Sequence, residues 1–260
     1  MYFNITQNRD LAAAARKHAL ECFPEQAVGL VVYAKQDGIR YEYLPLENSS
    51  RNPETQFLVV GCPQVETVAV IHSRTHTTSN APGLRDMKQQ QEMGIPWAVH
   101  SCNGTCCSEL QWFGDQLPIP PLLGRRFVSG YTDCWCLIRD VYRQQFDIVL
   151  ENVPRDEDWC LGPEPFDHFS EDNIERTGFE IISKDDARPG DVLLGRVRSK
   201  VNNHCALLLE NGYVLQQFAG ENFRSRRESI AHWGKLVTYV GRHKKFVDNP
   251  DSIPEIRVDE

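Results

Sequence analysis

The sequence predicts an α+β chain of two domains. Its 260 residues exceed the roughly 150 typical of one domain. Three prolines fall between Pro118 and Pro121. Across them the pattern changes from alternating helix and strand to one strong helix followed by short strands and a hairpin. The prolines favour an extended, semi-stiff connector. The predicted layout is a first domain over 1–114, a linker over 115–123, a second domain over 124–245 and an acidic tail over 246–260, read as a solvated extension.

Composition narrows the functional classes. Hydrophobic residues at 41% and charged residues at 25% are globular values, so collagen-like and disordered classes are excluded. A net charge of -8 speaks against a broad basic face for nucleic acid. No apolar run approaches the roughly 18 residues a bilayer requires, so stable membrane insertion is not expected. MYFNITQNRD has no basic region ahead of an apolar core, which predicts synthesis in a cytoplasm without secretion. Nine cysteines, an odd count without a secretory signal, read as reduced thiols.

In the first domain, Leu11, Ala14, Ala15, His18 and Ala19 share a helical face over Asp10–Glu21, with Asn8 or Asp10 as cap. Val28–Tyr33 is a buried strand. Thr67–Ile71 is another, ending at His72. Leu84–Met93 is helical and stops at Gly94-Ile95-Pro96, and Pro96–His100 is a third strand. In the second domain, Cys134, Leu137, Ile138 and Val141 lie on one helical face. Pro189-Gly190-Asp191 turns into the strand Val192–Leu194. His204–Leu209 and Tyr213–Phe218 flank Asn211-Gly212, a hairpin signal.

Cys134 is the candidate nucleophile. At a helix start it meets unpaired backbone N–H groups and the positive end of the helix dipole, which favour thiolate. Thr132 or Asp133 caps the same turn. A thiol nucleophile needs a base. Among His168, His204, His232 and His243, His204 is best placed because it opens an apolar strand. The base then needs an orienting polar group, and the partner strand offers Gln216 and Gln217. A two-residue loop would pair Ala206 with Gln217. A three-residue loop, Glu210 to Gly212, would pair Ala206 with Gln216. The residues alone leave both open.

GRRFVSGYTDCWCLIRDVY, PGDVLLGRV and NHCALLLENGYVLQQFAG, in that order over about 124–245, resemble an NlpC-type cysteine peptidase domain. The resemblance implies a papain-like fold, a Cys-bearing helix packed on an antiparallel sheet. It implies cleavage of peptidoglycan stem peptides without a cofactor, Cys134 as nucleophile and His204 as general base. The family spacing of about twelve from base to third residue lands on Gln216. That third residue is usually histidine, so Gln216 implies weakened activity. A family tyrosine ahead of the cysteine loop falls near Phe127 or Tyr131, and Phe127 has no hydroxyl.

His72, His76 and Asp86 form a second constellation in IHSRTHTTSNAPGLRD, of a kind that can hold zinc. With PEQAVGLVV and GIPWAVHS, the stretch over about 8–113 resembles a JAMM-type metallopeptidase domain of α/β build. His72 matches the first ligand and Asp86 the last. Arg74 stands in place of the second histidine, Gly83 of the serine, and Gln26 of the general-base glutamate. A cation repels zinc, and glutamine takes no proton from water. The resemblance implies a degenerate domain, metal-free unless His76 rescues the site, kept for docking. His100, Cys102, Cys106 and Cys107 form a thiol-rich patch read as unliganded.

The two domains in this order resemble a family of tail-tip proteins of lambda-like siphophages. That implies a location in the virion tail tip, other tail-tip or baseplate proteins as partners, and a peptidoglycan peptide as substrate. A purely structural tail-tip protein and a zinc-dependent isopeptidase are the alternative readings.

Overall fold

The computed structural model describes residues 5–34, 40–220 and 223–258. The chain divides into two compact units, 1–118 and 119–260.

The first unit opens with α1 (Arg9–Cys22), capped by the Asn8 side chain, which accepts from the backbone N–H of Asp10 and Leu11. Leu11, Ala15 and Ala19 form its buried stripe. Then come β1 (Val28–Ala34), β2 (Arg40–Leu46), β3 (Thr67–Arg74), α2 (Leu84–Met93), β4 (Trp97–Ser101) and β5 (Gln111–Phe113). They form a five-stranded sheet in the order β2-β1-β3-β4-β5. β3 and β4 pair in parallel, which requires a crossover, and α2 supplies it. Gly94, at φ 64°, closes α2 in the left-handed conformation that suits glycine. The alternating pattern foresaw α1, β1, β3, α2 and β4. It did not reveal β2, an edge strand carrying Pro45, which a central strand would not tolerate. β3 also runs past its expected end, so His72 lies inside the strand, opposite Val28 and Val99.

The second unit contains α3 (Cys134–Gln145), α4 (Glu171–Arg176), β6 (Phe179–Ile182), β7 (Val192–Gly195), β8 (His204–Leu208), β9 (Tyr213–Gln216), β10 (Arg226–Ser229) and β11 (Val237–His243). Its sheet is antiparallel, in the order β10-β9-β8-β7-β11-β6. α3 packs on the sheet through Leu137, Ile138 and Val141, which meet Val192, Leu194, Cys205, Leu207 and Leu215 in one core. Its buried surface is wider than one stripe, since Arg139 and Asp140 are also enclosed. Arg139 Nε donates to the Leu150 carbonyl at 2.9 Å, and Asp140 pairs with Arg125 at 2.7 Å.

The β8–β9 hairpin pairs Leu208 with Val214 and Ala206 with Gln216. Asn211 and Gly212 both take left-handed φ values, 59° and 71°, in the three-residue loop Glu210 to Gly212.

Two connections differ from expectation. Arg125 donates to the carbonyls of Pro120 and Pro121 at 2.8 and 2.9 Å, so that part of the proline segment is tied to the second unit. The acidic tail is docked. Phe246 is buried, Ile253, Ile256 and Val258 pack on the α3 core, and Arg257 N and O bond the Gln145 side chain. Its apolar residues turn inward while its charges stay out. Asp259 and Glu260 lie outside the described residues.

Candidate active site

Asp133 caps α3, accepting from Cys136 N at 3.0 Å and Gly130 N at 2.7 Å. The carboxylate is buried, which alone would raise its pKa. Arg155, with Nε at 3.1 Å, and the two amides hold it below the usual carboxylate range. A buried arginine thus pairs with a cap whose charge opposes a thiolate one residue away.

Cys134 and Cys136 share the first turn and differ in chemistry. Burial and Asp133 push the Cys136 thiol up. The Cys134 thiol is pulled down, first by a hydrogen bond with Cys205, then by a hydrogen bond with His204 and its charge, against burial and Asp133. Cys134 is therefore disposed to carry the reactive sulfur.

His204 stands at the start of β8, opposite Gly195. A side chain at Gly195 would meet the Leu236 carbonyl at 2.4 Å, so glycine keeps the strands close there. The imidazole stacks on Phe218 and Trp233, with centroids 4.5 and 4.9 Å away. Its Nε2 lies 3.1 Å from Gln216 Oε1, which leaves Nδ1 for the thiol. Gln217 instead donates to the Arg125 carbonyl at 3.0 Å. The three-residue loop therefore brings Gln216, and not Gln217, to His204.

Cys134 and His204 open into a groove of about 650 Å³, whose lining includes Phe127, Trp159, Arg155, Arg198, Phe218 and Arg226. Phe127 faces it. The Tyr131 hydroxyl, pushed up to about 12 by burial, is not in the lining. His168 packs against Trp159 and Phe166 rather than lying free on the surface. His243 packs against Tyr142 and Phe179.

Sequence reasoning missed Arg155, Cys205 and Trp233. Arg155 and Trp233 carry no local signal. Cys205 had one, since a strand that turns His204 to one face turns its neighbour to the other.

In the first unit, His72 and Asp86 do meet, with Nε2 3.4 Å from Oδ1. The Arg74 guanidinium lies on the other carboxylate oxygen. Burial alone would raise Asp86, but His72 and Arg74 hold it far below the usual carboxylate range. His76 does not join them. It is exposed, and its Nδ1 lies 3.4 Å from Gln26 Nε2. Among the described residues no group of three or more His, Cys, Asp or Glu is placed to hold a metal ion. The donors do not fit zinc, because an arginine already occupies the carboxylate. His100 lies on β4, and burial first, then His72, lowers its pKa to about 4. Cys102 and Cys107 face each other across a short antiparallel bridge as free thiols.

The NlpC/P60 family profile matches residues 124–242. The chain is 32% identical over 185 residues to the tail tip assembly protein K of Escherichia phage lambda, a match covering 70% of this chain and 85% of that one. It is 27% identical over 244 residues to the tail tip assembly protein K of Escherichia phage N15, covering 91% and 95%. The chain therefore belongs to the tail tip assembly protein K family and carries an NlpC/P60 domain in its second unit.

Proposed function

We propose that the chain is a phage tail-tip protein whose second unit is a thiol peptidase for peptidoglycan stem peptides, used in wall penetration or tail assembly. One observation carries this reading: the Cys134 thiol, at the start of α3, and the His204 imidazole line one groove large enough for a peptide. Cys134 attacks the scissile carbonyl as thiolate. His204 delivers its proton to the leaving amine, and the resulting thioester is hydrolysed by water that His204 deprotonates. Gln216 accepts from Nε2–H and keeps the ring turned to the sulfur. Backbone N–H groups of the first turn are suited to the oxyanion. The arginines of the groove suit the free carboxylates of a stem peptide. The chemistry needs no cofactor.

The first unit acts as a docking module toward other tail-tip or baseplate proteins, and the protein resides in the virion tail tip after synthesis in the host cytoplasm. A second reading, a purely structural tail-tip protein, is favoured by Gln216 and Phe127, which depart from the residues usual in such peptidases. An isopeptidase built on the first unit is disfavoured by Arg74.

Digestion of purified stem peptides and intact sacculi, comparing wild type with Cys134→Ala, separates these readings. Products formed by wild type alone support the peptidase, and their masses name the bond. No products from either folded protein leaves the structural reading.

A further inference from the structure

Cys102 follows the last residue of β4, and its amide donates to the Arg74 carbonyl of β3 at 2.8 Å. The chain then turns back and places Cys107 directly across from Cys102. Two backbone bonds flank the pair, Ser108 N to the Ser101 carbonyl at 2.9 Å and Asn103 N to the Cys106 carbonyl at 3.1 Å. Bonds one residue to either side define a non-hydrogen-bonded site, where facing Cα atoms stand about 4.5 Å apart. A disulfide spans Cα separations of about 4.4–6.8 Å. Both sulfurs lie on one face of the hairpin, toward α1. Cys102 Sγ is 3.6 Å from the Ala19 carbonyl, and Cys107 Sγ is 3.8 Å from the Arg16 carbonyl. The turn between them is already set. Asn103 Oδ1 accepts from Thr105 N at 3.0 Å and Cys106 N at 2.9 Å, and Gly104 takes the left-handed φ of 84°. Cys102 is buried, Cys107 half-buried and Cys106 exposed, all three as free thiols.

We propose that Cys102 and Cys107 are a redox site of the first unit: a dithiol in reducing surroundings, closed by a low-molecular-weight disulfide into a cross-strand bridge that fixes the 103–106 turn. The more accessible Cys107 attacks the external disulfide as thiolate, forming a mixed disulfide and expelling one thiolate. Cys102 then displaces the second. The two protein sulfurs lose two electrons, the external disulfide gains them, and the two thiol protons end on the two released thiols. Closing the bridge costs two weak S–H contacts to α1 carbonyls and no change of register. Burial first, then Cys102, push the Cys107 thiol up to about 12, so its thiolate is scarce at neutral pH and closure quickens as pH rises. A protein made in a reducing cytoplasm and delivered outside it meets both conditions. The inference is independent of the peptidase reading, since none of its residues lines the groove.

The test is differential thiol labelling of the full chain after incubation with glutathione disulfide. The reaction is quenched in acid, the chain is unfolded and free thiols are blocked with N-ethylmaleimide. Disulfides are then reduced, labelled with iodoacetamide and located by peptide fragmentation. The iodoacetamide label is expected at Cys102 and Cys107, and equally in Cys106→Ser, which removes the exposed neighbour. Excess reduced glutathione should return both to the maleimide-blocked form. The rate of closure should rise about tenfold per pH unit below the Cys107 value. Maleimide on Cys102 and Cys107 after oxidation would overturn the inference. So would a bridge that uses Cys106 or Cys22 instead, and a bridge that persists in excess reduced glutathione would overturn the redox role. Labelling at Cys134 is read on a separate peptide, so this test and the peptidase reading fail independently.

Discussion

His204 Nε2 lies 3.1 Å from Gln216 Oε1, a contact made across the β8–β9 hairpin by side chains twelve positions apart. The amide nitrogen of the same glutamine is buried without a partner. One end of Gln216 thus orients the imidazole while the other costs stability.

That split yields a prediction. Gln216→Ala should change stability by less than about 1 kcal/mol, since a hydrogen bond and an unpaired amide are lost together. Turnover of a stem peptide should fall about tenfold, about 1.4 kcal/mol of barrier. Gln216→His should equal or exceed wild type. Unchanged turnover in Gln216→Ala would mean that Phe218 and Trp233 alone hold the ring.

Arg155 is predicted to matter for folding through Asp133. Arg155→Met leaves a carboxylate buried and unpaired, at about 3–5 kcal/mol by urea unfolding. Adding Asp133→Asn should recover much of the loss, because asparagine still caps α3. Asp133 and Asp86 both ionise below their unfolded values. Their stabilisation is therefore complete above about pH 5 and drains as pH falls below about 4. A urea midpoint flat between pH 4 and pH 2 would contradict this.

Arg198 lines the groove as an exposed arginine at φ 50°, with no hydrogen bond or ion pair among the described residues. Arg226, by contrast, pairs with Glu228. Arg198→Ala should raise KM for a carboxylate-bearing stem peptide about fivefold and leave kcat unchanged, the scale of one exposed charge contact. Amidating that carboxylate should abolish the difference. Equal KM values for wild type and variant would remove Arg198 from substrate binding.

Zinc is expected to be sub-stoichiometric in protein purified without chelator. Arg74→His removes the cation from Asp86 and supplies an imidazole, so it should take up zinc on dialysis where wild type does not. Stoichiometric zinc in wild type, lost in His72→Ala, would reverse this reading of the first unit.

Much of this architecture was legible as local pattern. The Asn8 cap, the Gly94 stop, the helix starting at Cys134 and the Asn211-Gly212 turn are short-range signals, and α1 and α2 formed within a residue of their expected bounds. β11 was not read, because its place depends on partners far away in sequence. β11 inserts between β7 and β6, some forty to sixty residues upstream. The tail looked solvated because its charges dominate its composition. Its few apolar residues decide its path.

The sequence by itself determined the two-unit α+β plan, the thiol at the start of a capped helix, and the arginine two residues from His72. These follow from periodicity, capping and residue chemistry over spans of a few positions. Only the tertiary structure decided which glutamine meets His204 and that Arg155 pairs with the cap beside Cys134. Each depends on hairpin register or on packing between distant segments, where a shift of one residue turns a side chain to the opposite face.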